Sequence, residues 1–192
     1  LNTMDNSICI ITGPIGAGKS YLRDILLEMG FEVLDLDKVS NEILYSSEGQ
    51  KFIKENFGET IKRGIFSKAR LSEIVFSDRE KLNQLEKFIH PKVNSKTDIW
   101  IDGLEKYGFI EVSAPQKIFK DYKTIVLDAP EDIRIRRLLN RGMDLDDIKR
   151  RIATQRDTEW WKSLGYCIEN LDKDSLSKEV FTLLKEWGWI DE

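Results

Sequence analysis

An α/β fold, with a parallel sheet flanked by helices, is predicted by three features of this sequence. A strand-like run, Ser7–Thr12 (SICIIT), is followed by a helical pattern and then a second strand-like run, Phe31–Asp35 (FEVLD). Strand, helix and strand at that spacing form a βαβ unit, whose two strands lie parallel. Further strand-like runs recur at Phe109–Ser113, Thr124–Asp128 and, more weakly, Tyr166–Ile168, with helical patterns between them. Finally, 192 residues that are 41% hydrophobic and 33% charged suffice for one substantial core with a small appended subdomain.

Each element has a local reason. The first run is apolar almost throughout, as expected of a strand buried on both faces. The helix that follows, within YLRDILLEMG, carries Leu22, Ile25, Leu26 and Met29 at helical spacing, and Gly30 is placed to end it. From Val39 to Tyr107 the pattern changes to long polar helices: EGQKFIKENFG, RLSEIVF and REKLNQLEKFIHPKV. That stretch, 39–107, is too long for a simple crossover and predicts an inserted helical subdomain. A second helical insert, 131–161, falls between the last two strand runs. An open α/β sheet binds ligands beyond the carboxyl ends of its strands, so both inserts are expected to border that crevice. The aromatic end, LLKEWGWIDE, reads as a terminal helix packing its tryptophans on the sheet.

Bulk charge narrows the partners. A net charge of −4 excludes a nucleic-acid binder that relies on a broad positive field. Two distant cysteines, Cys9 and Cys167, lie in apolar runs without a CxxC partner and read as reduced core thiols, and a single histidine leaves no zinc set. The apolar runs are too short to span a bilayer. The opening LNTMDNS lacks the layout of a signal peptide and reads as an extension ahead of Met4. A cytoplasmic location follows as the default.

The octet at 13–20, GPIGAGKS, joins the first strand to the first helix. It fits G-x-x-x-x-G-K-[ST] at Gly13, Gly18, Lys19 and Ser20. Glycines there let backbone amides converge on phosphate oxygens, and the following helix adds its N-terminal dipole. The whole loop (Gly13, Pro14, Ile15, Gly16, Ala17, Gly18) with Lys19, Ser20 and Tyr21 is therefore read as a nucleoside triphosphate site. Lys19 is directed at the β- and γ-phosphates and the Ser20 hydroxyl at Mg²⁺. Pro14 lacks an N–H and stiffens the loop entry, and the neighbouring amides from Ile15 to Ser20 still suffice for the phosphates.

Two further groups bear on chemistry. The second strand ends in VLDLD, and alternation along an extended chain would put Asp35 and Asp37 on one side, at the carboxyl edge of the sheet. One of them could orient or deprotonate an attacking hydroxyl, while Asp37 could also cap the next helix. The helix PEDIRIRRLLNRG carries Arg134, Arg137 and Arg141 on one stripe. Arg137 and Arg141 lack an acid four residues earlier, which fits a lid that neutralises transferring phosphate.

These residues together resemble the dephospho-coenzyme A kinase family. The resemblance runs from IITGPIGAGKS through GFEVLDLDKVSNEI, ENFG, RLSEIVFSDREKLNQLEKFIHPKV and LDAPEDIRIRRLLNRGMDLDDIKRRIATQ to GYCIEN. It implies a P-loop NTPase fold with a five-stranded parallel sheet, a helical substrate domain and a lid. The implied activity is transfer of the γ-phosphate of ATP, with Mg²⁺, to the ribose 3′-hydroxyl of dephospho-coenzyme A. On that resemblance Asp37 matches the proposed base, Arg137 the lid arginine, Lys19 and Ser20 their phosphate-loop counterparts, and His90-Pro91 an element lining the acceptor side. Read on residues alone, His90 before a proline is a helix-end packing residue. Three departures stand out: Gly13-Pro14 replaces two glycines, EVSAPQKIF at 111–119 replaces V-P-L-L-x-E, and Arg134 replaces glutamine.

Two other readings remain open on the residues. A nucleoside or deoxynucleoside monophosphate kinase would need cations for a 5′-phosphate, and Arg63, Arg70 and Arg79 are available. A nucleotide-binding adaptor that has lost catalysis is the other. A monomer or weak oligomer without nucleic-acid or membrane partners is expected.

Overall fold

The computed structural model describes residues 7–115 and 122–191. The extension at 1–6 and positions 116–119 of the altered 111–119 element lie outside the described residues. The chain forms two compact units, one made of Leu1–Asp35 with Leu104–Glu192 and the other of Leu36–Gly103.

The first unit holds a five-stranded, wholly parallel sheet. Its strands are β1 (Ile8–Thr12), β2 (Glu32–Asp35), β5 (Gly108–Glu111), β6 (Lys123–Asp128) and β7 (Tyr166–Glu169), arranged β2-β5-β1-β6-β7. β1 is central and every one of its residues is buried, which accounts for its unbroken apolar sequence. Its neighbours β5 and β6 come from far along the chain and lie on opposite sides of it. The carboxyl end of β1 is thus the point where the topology diverges to the two sides, the usual place for a ligand crevice.

α1 (Lys19–Glu28) and α9 (Lys173–Glu186) close one core with the sheet. Leu22, Leu26, Ile125, Leu127, Leu176, Val180 and Leu184 belong to it and are fully buried. Each side chain of this size contributes about 1.5–3 kcal/mol by leaving water. Trp189 completes that core at 5% exposure; its ring stacks on Tyr107 at 4.5 Å and meets Phe109 edge-on at 5.3 Å. α6 (Glu131–Asn140), α7 (Leu145–Thr154) and α8 (Thr158–Lys162) fill the interval between β6 and β7. Cys9 is buried, and burial pushes its thiol far above the ordinary range. Cys167 was expected in the core but is only half-buried, because β7 is an edge strand.

The second unit contains α2 (Leu36–Tyr45), α3 (Ser47–Asn56), α4 (Lys68–Ser77) and α5 (Arg79–Asp102). Leu44, Ile53, Phe57, Phe66, Leu71, Val75 and Leu85 form its core. A two-residue hairpin, β3 (Ile61–Lys62) with β4 (Ile65–Phe66), turns through Arg63-Gly64, both at positive φ. Strands this short carry no readable alternation, and the sequence reading missed them.

His90-Pro91 does not end a helix. Pro91 lies inside α5, which continues to Asp102. An internal proline removes one backbone bond and costs about 3 kcal/mol. The apolar stripe nevertheless runs through it: Leu82, Leu85 and Ile89 precede Pro91, Val93 and Thr97 follow, and Leu85, Val93 and Thr97 are buried. Burial on both sides of the proline holds the helix together.

Candidate active site

The loop at 13–20 leaves β1 and ends at the first turn of α1, and three constraints on it come from three neighbours. A Cβ on Gly13 would stand 2.2 Å from the carbonyl oxygen of Leu127 in β6. One on Gly16 would stand 2.9 Å from Arg134 Cβ in α6, and one on Gly18 would stand 2.2 Å from Asn170 Nδ2. Gly18 is also the N-cap of α1 at φ 102°, in the left-handed region. The glycines are therefore needed for close packing as much as for turning.

Not every amide of the loop is available to an anion. Ala17 N–H donates to the Pro14 carbonyl at 3.2 Å, and Ile15 N–H donates to Gln155 Oε1 at 2.9 Å. Two of the amides between Ile15 and Ser20 are thus already engaged within the protein. Among the described residues, no protein acceptor meets the amides of Gly16, Gly18 or Ser20. Lys19 Nζ folds back over the loop, donating to the carbonyls of Gly13 at 2.7 Å and Pro14 at 3.4 Å.

The arginine stripe of α6 meets the loop from the other side. Arg137 donates to the carbonyls of Ala17 at 3.3 Å and Gly16 at 3.5 Å. Its other terminal nitrogen donates to the Asn170 and Leu171 carbonyls, at 2.9 and 3.3 Å. The guanidinium thus clamps the loop to the end of β7. Burial, and next the neighbouring Arg141 guanidinium, hold Arg137 below its ordinary pKa. Arg141 Nη2 donates to the Ser20 hydroxyl at 3.1 Å. Arg136 points away and pairs with Asp132.

A cavity of about 380 Å³ opens beside the loop. Arg137, Arg141 and Lys173 line it with Gly18, Tyr21, Asn140 and Asn170. Three cations and no carboxylate suit an anionic ligand, and the size suits a nucleotide-scale molecule. Lys173 Nζ lies 5.1 Å over the Tyr21 ring, so an aromatic face is part of the wall. Asn170, 1% exposed, donates through Nδ2 to the Ala17 carbonyl at 2.8 Å. Its role went unread in the sequence, although it follows the weakest strand signal directly.

The two aspartates fall in different elements. Asp35 is the last residue of β2, in register with Glu111 of β5. Arg23 Nη1 bridges them, 3.1 Å from Asp35 Oδ2 and 3.2 Å from Glu111 Oε2. Asp37 is not extended: α2 begins at Leu36, and Asp37 is exposed in its first turn, where a carboxylate suits the helix dipole. Asp35 and Asp37 do not alternate along one strand because β2 stops at Asp35, and Asp37 does not cap α2 because it is already helical. Of the second unit's expected residues, His90 and Pro91 lie within α5. Arg63, Arg70 and Arg79 occupy the hairpin turn, α4 and the start of α5.

The family model described as dephospho-CoA kinase matches residues 7–175, from β1 into α9. The chain belongs to the dephospho-CoA kinase family. A dephospho-CoA kinase of Carboxydothermus hydrogenoformans is 32% identical over 196 residues, covering 94% of each chain. Among solved structures, a protein from Thermus thermophilus superposes with a TM-score of 0.81 at 28% identity, covering 93% of this chain and 96% of its own. The dephospho-CoA kinase of Campylobacter jejuni shares the fold, with a TM-score of 0.66 at 24% identity, covering 94% and 98%. Membership makes the chain a kinase on a P-loop frame. No helix among the described residues is long and apolar enough to cross a membrane.

Proposed function

We propose that this chain transfers the γ-phosphoryl group of ATP to the ribose 3′-hydroxyl of dephospho-coenzyme A. The observation that carries the proposal is the glycine-rich loop at 13–20 with a cavity lined by Arg137, Arg141 and Lys173 beside it, in a chain of the dephospho-CoA kinase family.

In this reading the amides of Gly16, Gly18 and Ser20 receive the donor phosphates at the start of α1, where the helix dipole adds to them. Lys19 exchanges its loop carbonyls for phosphate oxygens. Arg141, already beside Ser20, offsets charge on the transferring group, and Arg137 holds the loop rigid while contributing its field. Tyr21 and the cavity beside it take the rest of the donor. The donor set fits Mg²⁺: Ser20 supplies one hydroxyl, no cluster of three metal-binding side chains exists among the described residues, and Mg²⁺ ordinarily keeps waters and binds substrate phosphates. Bound there, Mg²⁺ would neutralise charge on the donor phosphates.

On the acceptor side, Asp37 orients the ribose hydroxyl and accepts its proton. Asp35, fixed by Arg23, sets the end of β2 that leads to it. The helical unit, with His90 and Pro91, holds the acceptor. The setting is cytoplasmic, and the chain acts as a monomer or weak oligomer on a small molecule. A coupled assay for ADP tests the proposal, offering dephospho-coenzyme A against a panel of nucleoside and deoxynucleoside monophosphates. Turnover confined to dephospho-coenzyme A is the expected result; preference for a monophosphate overturns it.

A further inference from the structure

We infer that Gln155 is a positioning residue of the phosphate loop, holding the Ile15 amide through its side-chain carbonyl and so tying the end of α7 to the loop. This rests on the nucleotide reading of that loop and adds a residue to it.

The bond spans 140 positions of sequence at 2.9 Å and is half-buried. Its place in the loop is particular. Pro14 has no amide hydrogen and Ala17 turns back onto Pro14, whereas the Ile15 amide reaches a distant side chain. The acceptor is itself well fixed. Gln155 is the C-cap residue of α7, extended at φ −80° and ψ 163°, with its own amide on the Ile152 carbonyl. α7 in turn is capped by Asp144 at its start and anchored by Ile148, which is fully buried.

The arginines of α6 hold the loop by its carbonyls, through Arg137 to Gly16 and Ala17. Gln155 holds it by an amide. Gripped from both kinds of group, the loop keeps its cup shaped by protein alone, and binding then orders less of it. The residue type matters as well. A glutamine offers a carbonyl acceptor without charge, whereas a glutamate there would make the same bond and repel the donor phosphates.

The test uses the whole protein and two substitutions, Gln155→Ala and Gln155→Glu. Hydrogen exchange at Ile15 is read without nucleotide, and ATP and acceptor KM values are read in turnover. Gln155→Ala is expected to speed Ile15 exchange about tenfold and to raise the KM for ATP about five- to thirtyfold, as loss of one half-buried bond implies. Its kcat and acceptor KM should hold, and its melting temperature should fall by only about 2–4 °C, as loss of one such bond implies. Gln155→Glu is expected to keep Ile15 protected and still raise the KM for ATP. The inference is overturned if Ile15 exchange or the ATP KM is unchanged in Gln155→Ala, or if melting falls enough to show a general structural role. If the unsubstituted protein does not turn over ATP, the functional proposal fails, and the exchange result alone decides the role of Gln155.

Discussion

Substituting Gly18 by alanine tests whether the loop is held by its collision with Asn170. Two costs can be worked from the geometry. At φ 102° an alanine sits in the left-handed region, at about 1–2 kcal/mol. Its Cβ would also stand 2.2 Å from Asn170 Nδ2. That amide can yield only by giving up its 2.8 Å bond to the Ala17 carbonyl. Both partners are buried, so the loss is about 1–3 kcal/mol. Gly18→Ala should therefore destabilise the protein by about 3 kcal/mol, and Asn170→Ala by about 2 kcal/mol through the same bond. In the double variant the collision is gone and the bond already lost, so about 3 kcal/mol is expected rather than the additive value of about 5, a coupling of about 2 kcal/mol. Urea unfolding followed by tryptophan fluorescence reads this directly, since Trp187 and Trp189 report from the same unit. Additive losses would refute the reasoning.

Three other outcomes follow from the same geometry. Asp37→Asn should keep ATP affinity and lower kcat by about 10²–10⁴; unchanged turnover removes Asp37 from the chemistry. Lys19→Met should lower kcat by about 10²–10³ with the melting temperature unchanged, and turnover within a few-fold of the original contradicts the role given to Lys19. Hydrogen bonds from the Ser175 amide and hydroxyl at the start of α9 hold Asp172 below its ordinary value of 3.8. A lowered folded pKa means stability that is present above pH 3.8 and lost as pH falls through the folded value. Asp172→Asn keeps a cap without a titrating group, so its melting temperature should fall less than that of the original protein between pH 5 and pH 3. Parallel melting curves across that range would show that Asp172 titrates alike in both states.

Much of the sheet was readable because its physics is local. β1 is buried on both faces, so its sequence is an unbroken apolar run, and the glycines that follow announce the phosphate loop. β2, β5, β6 and β7 were each found within a residue or two. The order β2-β5-β1-β6-β7 was not, because pairing partners depend on contacts far apart in sequence. α5 was misjudged at His90-Pro91 for a related reason: a proline's local cost is visible in the sequence, whereas the burial that offsets it is visible only in the fold.

The site divides in the same way. Gly13–Ser20 declare themselves through motif and context. Arg137 was found as an arginine without a local acid, but its actual partners are carbonyls of Gly16, Ala17, Asn170 and Leu171, which no side-chain spacing could disclose. Gln155 and Asn170 act through single long-range bonds to the loop backbone, and a lone amide residue carries no pattern. Glu111, buried in β5 beside Arg23 and Asp35, offered a small signal: a carboxylate at the end of an apolar strand needs a cation, and Arg23 lies one turn into the first helix.

The most direct measurement incubates the purified protein with ATP, Mg²⁺ and dephospho-coenzyme A and follows the product by phosphorus NMR. A new phosphomonoester on the ribose 3′-oxygen, formed one for one with ADP, is the expected result. ADP formed without that ester, or no ADP at all, would contradict phosphoryl transfer from this loop to that hydroxyl.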